Sequence, residues 1–400
     1  MQGEGNAGTR VPIVDGLRGF AISGIFLVHM EELFGAYWEM PHMHSAVQAT
    51  VFALFSGKTF SIMALCFGFS FDAIKRTMRV GVADFAYRYA WRLLILFGIG
   101  LVHGLLYAGD ILTVLAVIGL SLLAADRIVS PSRLLLVALC CLMQPLLLVR
   151  IGAALAHVPL PEDHIVFGQA LALHGSFTQL VEANLLTALW RKWQFMLLSG
   201  RLFELAGWMI LGLVAARARL FETAATWRAT HHYVLAGALL TTVALYLAWG
   251  MIALPGAATP PLVRDARLLI ACLFNTSATV VLVLSFVIVW ETRLQAILRR
   301  LVPVGKMALT FYILQSAIFV PLIYGFGSGL YARIDEVDAA ICALVVVIAQ
   351  TAGAAIWLRH FRYGPLEWAW RAAAALDGTL PMRRRSRLPV IGDWNRTSIM

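Results

Sequence analysis

The sequence predicts an all-α polytopic membrane protein, and three observations carry that prediction. Hydrophobic residues fill 60% of its 400 positions and charged residues only 14%, where soluble domains average ~25% charged. About ten separate runs are apolar and long enough to read as membrane helices. Lys and Arg gather in alternate connections between those runs, the asymmetry that orients a chain in a bilayer. The net charge of +10 is therefore spread by topology, not gathered into a nucleic-acid patch. The expected partner is lipid, with no nucleic acid.

A crossing needs ~20 apolar residues, and the runs lie at 12–34, 47–72, 89–107, 111–126, 134–156, 195–216, 233–254, 266–290, 304–326 and 339–360. The first follows eleven mostly polar residues and has no A-x-A cleavage pattern, so it reads as a retained anchor and not a signal peptide. The second is interrupted at Ser56-Gly57-Lys58, a break that sets off a short helix before it. The fourth is the shortest. Lys75, Arg76, Arg79 and Arg88 follow the second run, Arg127 and Arg133 the fourth, Arg217, Arg219 and Arg228 the sixth, and Arg293, Arg299 and Arg300 the eighth. This alternation puts both termini in the cytoplasm.

The domain plan is a cytoplasmic N-terminus at 1–11 and a single transmembrane domain at 12–361, with a long extracytoplasmic loop at 157–194. An interfacial helix follows at 362–376, where Gly364-Pro365 suits a helix start and Trp368 and Trp370 suit a headgroup layer. A basic tail at 377–400 is expected to be disordered. All five cysteines lie in apolar runs without CxxC spacing, so neither disulfides nor a metal site is expected.

Two ionisable residues inside the first run, Arg18 and His29, carry most of the functional signal. Eleven positions apart, they share one helix face, about 16 Å apart along the axis. An ionisable group at membrane depth costs at least ~2.5 kcal/mol unless it finds a partner or water. The plain alternative is that Arg18 snorkels to one interface while His29 sits near the other. Depth counting at ~1.5 Å per residue puts His29, Lys58, Asp110, Arg201 and Glu204 in one layer, about 20–27 Å above the cytoplasmic ends of their helices. Glu31 and Glu32 directly follow His29. This layer either lines a polar pocket or consists of pairs that tie helix ends together, Arg201 with Glu204 and Lys58 with Asp110. Asp15, three residues before Arg18 on the same face, either holds it for function or makes its charge tolerable as an intrahelical ion pair. His103, inside Gly100-x-x-x-Gly104, reads as a packing residue. Tyr312, Gln315, Asn275 and Gln350 read as helix-to-helix hydrogen-bonding groups.

Five blocks carry a resemblance: VDGLRGFAISGIFLV at 14–28, FSIMALCFGFSF at 60–71, HGLLYAGDIL at 103–112, GKMALTFYILQS at 305–316 and LRHFRYGPLEWAWR at 358–371. In this order they resemble the YeiB-like bacterial inner-membrane proteins, defined by a C-terminal domain of unknown function. The resemblance implies a wider kinship with transmembrane acyltransferases, including the heparan-alpha-glucosaminide acetyltransferases and the acyltransferase-3 proteins. Those take an acyl group from cytoplasmic acyl-CoA and deliver it to a sugar across the membrane. Many YeiB-like proteins carry asparagine where His29 stands; Arg18 to His29 is instead similar to the R-x10-H arrangement of acyltransferase-3 proteins. GAYWEMPH, Gly35 to His42, is similar to the loop that presents the catalytic histidine in the heparan-type enzymes.

Acyl transfer needs a base for the nucleophile and donors for the developing oxyanion. The expected base is His29 or His42, with His44 a weaker neighbour and Glu32 as an orienting carboxylate. Asp15, Arg18, Lys58, Asp110, Arg201 and Glu204 are the expected substrate-binding residues. Arg76 and Arg79 are expected to meet the phosphates of acyl-CoA, a co-substrate and not a tightly bound cofactor. The acceptor would be a small molecule or glycan, and the chain leaves a homodimer open. The competing expectation is a carrier for a small anionic or zwitterionic metabolite, its path lined by Lys58, Arg201 and Arg18. No Walker loop, GxSxG, HExxH or dinucleotide fingerprint occurs, so ATP hydrolysis, serine-hydrolase and metalloprotease chemistry have no support.

Overall fold

The computed structural model describes residues 11–34, 45–78, 80–158, 174–252, 260–375 and 380–383. In chain order its helices are α1 (Pro12–Phe34), α2 (Ala46–Phe55), α3 (Lys58–Met78), α4 (Val82–Leu106), α5 (Leu112–Gly119), α6 (Ser121–Ala125), α7 (Pro131–Leu142) and α8 (Pro145–Leu155). Then come α9 (Phe177–Ala183), a π-helical stretch at Asn184–Ala188, α10 (Leu189–Leu198), α11 (Arg201–Arg217), α12 (Arg228–Met251) and α13 (Pro261–Trp290). The chain closes with α14 (Gln295–Leu298), α15 (Val302–Lys306), α16 (Ala308–Ile323), α17 (Glu336–His360) and α18 (Pro365–Ala375). Among the described residues there is no strand, only an isolated bridge between Phe361 and Arg383.

Among the described residues, six helical stretches are long and apolar enough to cross a bilayer, or nine if each of three bent pairs makes one crossing. This makes the chain an all-helical, multi-pass membrane protein. The bends have local causes. At the 50° bend between α7 and α8, Gln144 takes a left-handed φ of 60° just before Pro145, which cannot continue the hydrogen-bond ladder. At the 74° bend between α10 and α11, Gly200 has φ 76°. The third bend, 76°, falls at Met307, between α15 and α16. The interruption expected at Ser56-Gly57-Lys58 is present: α2 ends at Phe55, Gly57 has φ 79°, and α3 begins at Lys58.

The fourth crossing is short, as expected, and the loop at 157–194 needs correction. The predicted fourth crossing is the short apolar stretch Leu112–Ala125, roughly 21 Å at 1.5 Å per residue against a hydrocarbon core of about 30 Å. The predicted loop 157–194 is helical from Phe177 onward. Leu180, Asn184 and Lys192 there are buried against the bundle, while Phe177, Leu185, Leu186 and Trp190 are exposed.

α1 is the central helix: 78% of its most apolar window is buried, against none of the window in 224–251. Backbones approach closely where Gly permits. A Cβ on Gly19 would stand 2.1 Å from the Leu301 carbonyl, and one on Gly305 1.8 Å from the Asp15 carbonyl, so α1 and α15 touch through glycine. α3 and α11 meet likewise, with Gly68 against Met209 O and Gly212 against Leu65 O. Small residues at interfaces are how membrane helices gain packing when lipid and side chains are equally apolar. α12, by contrast, buries no residue, and its Leu240, Val243 and Leu247 are outward-facing, as lipid contact requires.

The bundle has a basic end and a polar-cavity end. At the basic end Asp126 accepts from Lys75 at 2.6 Å and from Arg217 at 2.7 Å, tying α3 and α11 to the turn after α6. From Thr113 to Asp126 and from Glu204 to Arg217 are thirteen residues each, about 20 Å of helix. The short α5–α6 stretch thus reaches the same two levels as α11. α18 packs beside α4, where Trp370 Nε1 donates to Arg92 O at 3.0 Å. Its Glu367 caps α16, accepting from Leu309 N at 2.7 Å and from Thr310 Oγ1 at 2.6 Å.

Candidate functional site: a polar-ended cavity beside His29

A cavity of about 1080 Å³ opens where the C-terminal half of α1, the starts of α3 and α11, the turn after α4 and the upper parts of α12 and α13 come together. His29, Glu32, Lys58, Arg201 and Glu204, all expected to share a layer, lie on its wall. Their convergence follows from helix geometry: one helix starts at Lys58, another at Arg201, and α1 ends a turn beyond His29.

His29 is the best-organised group there. Its Nδ1 lies 3.0 Å from Glu32 Oε2 and 2.8 Å from the Tyr107 hydroxyl. The ring packs edge-on against Tyr107, centroids 5.0 Å apart, and beside Phe60 at 5.9 Å. A carboxylate on Nδ1 holds the tautomer that leaves Nε2 with a free lone pair. Nε2 has no hydrogen-bond partner among the described residues and is itself covered, so a substrate reaches it only when a neighbouring side chain turns aside.

A second histidine–carboxylate pair stands behind the wall. His103 Nδ1 is 2.9 Å from Asp110 Oδ1, and Asp110 also accepts from Thr113 N and Thr113 Oγ1, both at 3.0 Å. Lys192 Nζ donates to Thr113 Oγ1 at 2.7 Å and lies 3.6 Å from Asp110. Asp110 is fully buried and fixes the turn after α4, where Tyr312 Oη accepts from Ile111 N at 2.9 Å. This network shapes the cavity without lining it at Asp110, and His103 is the packing residue the sequence suggested.

The expected pairings are reordered. Lys58 does not pair with Asp110, because Lys192 holds that position; Lys58 Nζ donates to Phe52 O at 3.4 Å and lies 4.9 Å from the Phe274 ring centroid. Arg201 and Glu204 form no bridge: Glu204 accepts from Ser61 at 3.1 Å, and the Arg201 guanidinium lies over Phe195 at 5.5 Å. Arg18 pairs with Asp15 at 2.9 Å and donates to Ser70 at 2.8 Å and Gly305 O at 3.4 Å. It faces protein, as His29 does, but does not line the cavity. Arg76 bridges Asp72 at 2.6 Å and donates to Ala216 O at 3.4 Å at the basic end. His42, His44 and Arg79, and with them the GAYWEMPH segment, lie outside the described residues.

Sequence reasoning missed Tyr107, Lys192 and Asn275, all on the cavity wall. Tyr107 stands four residues after His103, one helical turn further on, and that spacing was a usable signal. Lys192 was discounted as a loop residue. Asn275 gave no signal separating cavity from helix contact, whereas Gln315 and Gln350 do hydrogen-bond to each other at 2.9 Å.

Fold and cavity together define a multi-pass helical membrane protein with a partly open, mostly apolar cavity that carries charged residues near one end. The DUF418 family, described as protein of unknown function, matches residues 215–377 of the chain. The chain is 36% identical over 87 residues to the uncharacterized protein YxaH of Bacillus subtilis (strain 168), a match covering 22% of each chain. It is 27% identical over 365 residues to the uncharacterized 39.9 kDa protein in the amylase 3'region of Bacillus acidopullulyticus, 90% of this chain and 93% of that one. With the uncharacterized protein YeiB of Escherichia coli (strain K12) it shares 43% identity over 68 residues, 17% of each chain. The matched region is thus about a fifth of YxaH and YeiB and nearly the whole of the third relative. No solved structure matches the chain.

Proposed function

We propose that this protein is a transmembrane acyltransferase that carries an acyl group from acyl-CoA at its basic end to a hydroxyl or amine acceptor in the cavity. The observation that carries this reading is the His29–Glu32 pair, 3.0 Å apart on the wall of a cavity with room for a substrate. Histidine suits the base because its ordinary pKa, ~6.5, lies near the working pH. In the proposed step the acceptor O–H or N–H gives its proton to His29 Nε2, and the freed lone pair attacks the thioester carbonyl. The carbon–sulfur bond then breaks, and the CoA thiolate leaves to take up a proton. Glu32 holds the imidazole in place and stabilises its charged form. Lys58 or Tyr107 is the nearest candidate for the developing oxyanion, as lining residues with N–H or O–H to donate. The basic end, with Lys75 and Arg76, suits the phosphates of the donor and the cytoplasmic side of a bacterial inner membrane.

The test is release of free CoA thiol by the purified protein supplied with acetyl-CoA. His29→Ala is expected to lower the rate by ~10²–10⁴-fold. Full activity in both His29→Ala and His42→Ala variants contradicts the mechanism.

One observation favours a second reading, a carrier for a small anion. Lys58 and Arg201, two of the cations expected on a carrier's path, both line the cavity. A carrier accumulates labelled solute in proteoliposomes without releasing thiol.

A further inference from the structure

Two crossings break with the same three-residue pattern, Ser56-Gly57-Lys58 and Ser199-Gly200-Arg201. Both glycines sit in the left-handed region, φ 79° and 76°, where a side chain would be strained. Each break therefore ends one helix and starts another whose first residue is a cation: Lys58 for α3, Arg201 for α11. The two new helices begin side by side. Three residues in, Ser61 Oγ donates to Glu204 Oε1 at 3.1 Å. Lys58 and Arg201 consequently face one cavity, and two helix N-termini add partial positive charge at the same place.

Glu204 is the acid that acts on both cations through space, but it is in contact with neither. Lys58 is 3% exposed, yet among the described residues no carboxylate lies within 4.0 Å of it or of Arg201. Buried cations elsewhere in the bundle are answered: Arg150 by Asp265 at 3.0 Å and Lys192 by Asp110 at 3.6 Å. Of the acids on the cavity wall, Glu204 is turned to Ser61 and Glu32 to His29, and Glu182 is exposed. A buried cation without a contacting acid is costly, so Lys58, sharing the cavity with the half-buried Arg201, suits an anion. The wall beside and beyond the two cations is aromatic, with Phe52, Phe195 and Phe274 next to them and Tyr246 and Trp249 also lining the cavity. Its volume of about 1080 Å³ exceeds what an inorganic anion needs and is at the upper end of ordinary organic-ligand sites.

We propose that the cavity binds an amphiphilic anion, its phosphate or carboxylate head between Lys58 and Arg201 and its apolar body against the aromatic wall. The identification of this ligand as the acceptor rests on the acyl-transfer reading; the binding site itself does not. The amphiphile is either a lipid entering from the bilayer or a soluble organic anion, and both present the same head to the same two cations.

The experiment uses the full-length protein in nanodiscs without acyl-CoA, titrated with dodecyl phosphate, hexyl phosphate, inorganic phosphate and dodecanol and read by thermal shift and calorimetry. Saturable binding of dodecyl phosphate at least tenfold tighter than that of inorganic phosphate or dodecanol is expected. Tighter binding of dodecyl than of hexyl phosphate points to a lipid; equal binding of the two points to the soluble anion. Lys58→Met and Arg201→Met each weaken dodecyl phosphate binding by roughly tenfold or more, the loss of one charged hydrogen bond. Lys58→Arg and Arg201→Lys, which keep the charge, retain most of the affinity and control for folding. Unchanged affinity in a monodisperse Lys58→Met/Arg201→Met protein overturns the site. Inorganic phosphate binding as tightly as dodecyl phosphate overturns the amphiphile, and dodecanol doing so overturns the anion. Binding as expected with no thiol release in the acetyl-CoA assay leaves this site standing and removes the acyltransferase; thiol release with unchanged binding in the double variant does the reverse.

Discussion

His29 and Glu32 are three residues apart on α1, the spacing at which helical side chains meet, and Tyr107 closes the group from α4 at 2.8 Å. The acyl-transfer proposal gives each a separable signature. Glu32→Gln keeps the size but weakens the partner that fixes the imidazole, so kcat should fall by about tenfold or more with little change in KM. The measurement is steady-state thiol release across pH, since an orienting carboxylate also supports the charged imidazole and its loss moves the pH profile of kcat. Tyr107→Phe keeps the packing against His29 and removes one hydrogen bond, costing about 1 kcal/mol in thermal unfolding. At this scale the sequence was informative: an ionisable residue in an apolar run announces itself, and the 3.6-residue period says which neighbours it can reach. It could not say that Lys192, and not Lys58, would take Asp110, because that choice depends on how α10 folds back over the turn after α4.

The elements owe their placement to backbone approach more than to side-chain pattern. Gly68 and Gly212 let α3 and α11 touch, and a Cβ on either would stand within about 2 Å of the facing carbonyl oxygen. Gly68→Val or Gly212→Val should therefore force the two helices apart and destabilise the protein by about 1–3 kcal/mol or more, read as a lower unfolding temperature in detergent. Anion binding in the cavity falls with it, since these helices carry Lys58 and Arg201. α18 offers a second test. Burial lifts the Glu367 carboxyl above its ordinary value, against the pull of its hydrogen bonds to Thr310 and Leu309. A carboxyl raised on folding contributes stability that declines as pH rises from its unfolded value through the folded one. Glu367→Gln should flatten that decline, and Glu367→Ala should in addition lose the cap on α16, at about 1–3 kcal/mol. The helix break at Ser56-Gly57 was legible in the sequence, whereas those at Gln144-Pro145 and Gly200 fall inside runs that read as continuous. Nothing in the sequence locates the bend at Met307.

On the scale of the whole molecule, composition and charge alternation sufficed to read a multi-pass helical bundle, because a bilayer permits few alternatives. The number of crossings was less legible. A run of 14 residues, Leu112–Ala125, is too short by length alone, yet its two ends share levels with Glu204 and Arg217. If it crosses, both termini share one side of the membrane; if not, they lie on opposite sides. Reporter fusions at the two ends decide this, with the cytoplasmic signal expected from both. Arg18 and His29 illustrate the same limit: both lie on the inward face of α1 as their spacing implies, but only one of them reaches the cavity.

The central claim is that His29 performs chemistry in this cavity and does not merely line a passage. Proteoliposomes supplied on one face with acetyl-CoA labelled in the acetyl group test it most directly. The account predicts label covalently attached to an acceptor with stoichiometric free CoA from the unaltered protein, and neither from His29→Ala that still binds dodecyl phosphate. Equal thiol release and equal label transfer in the two proteins would contradict it.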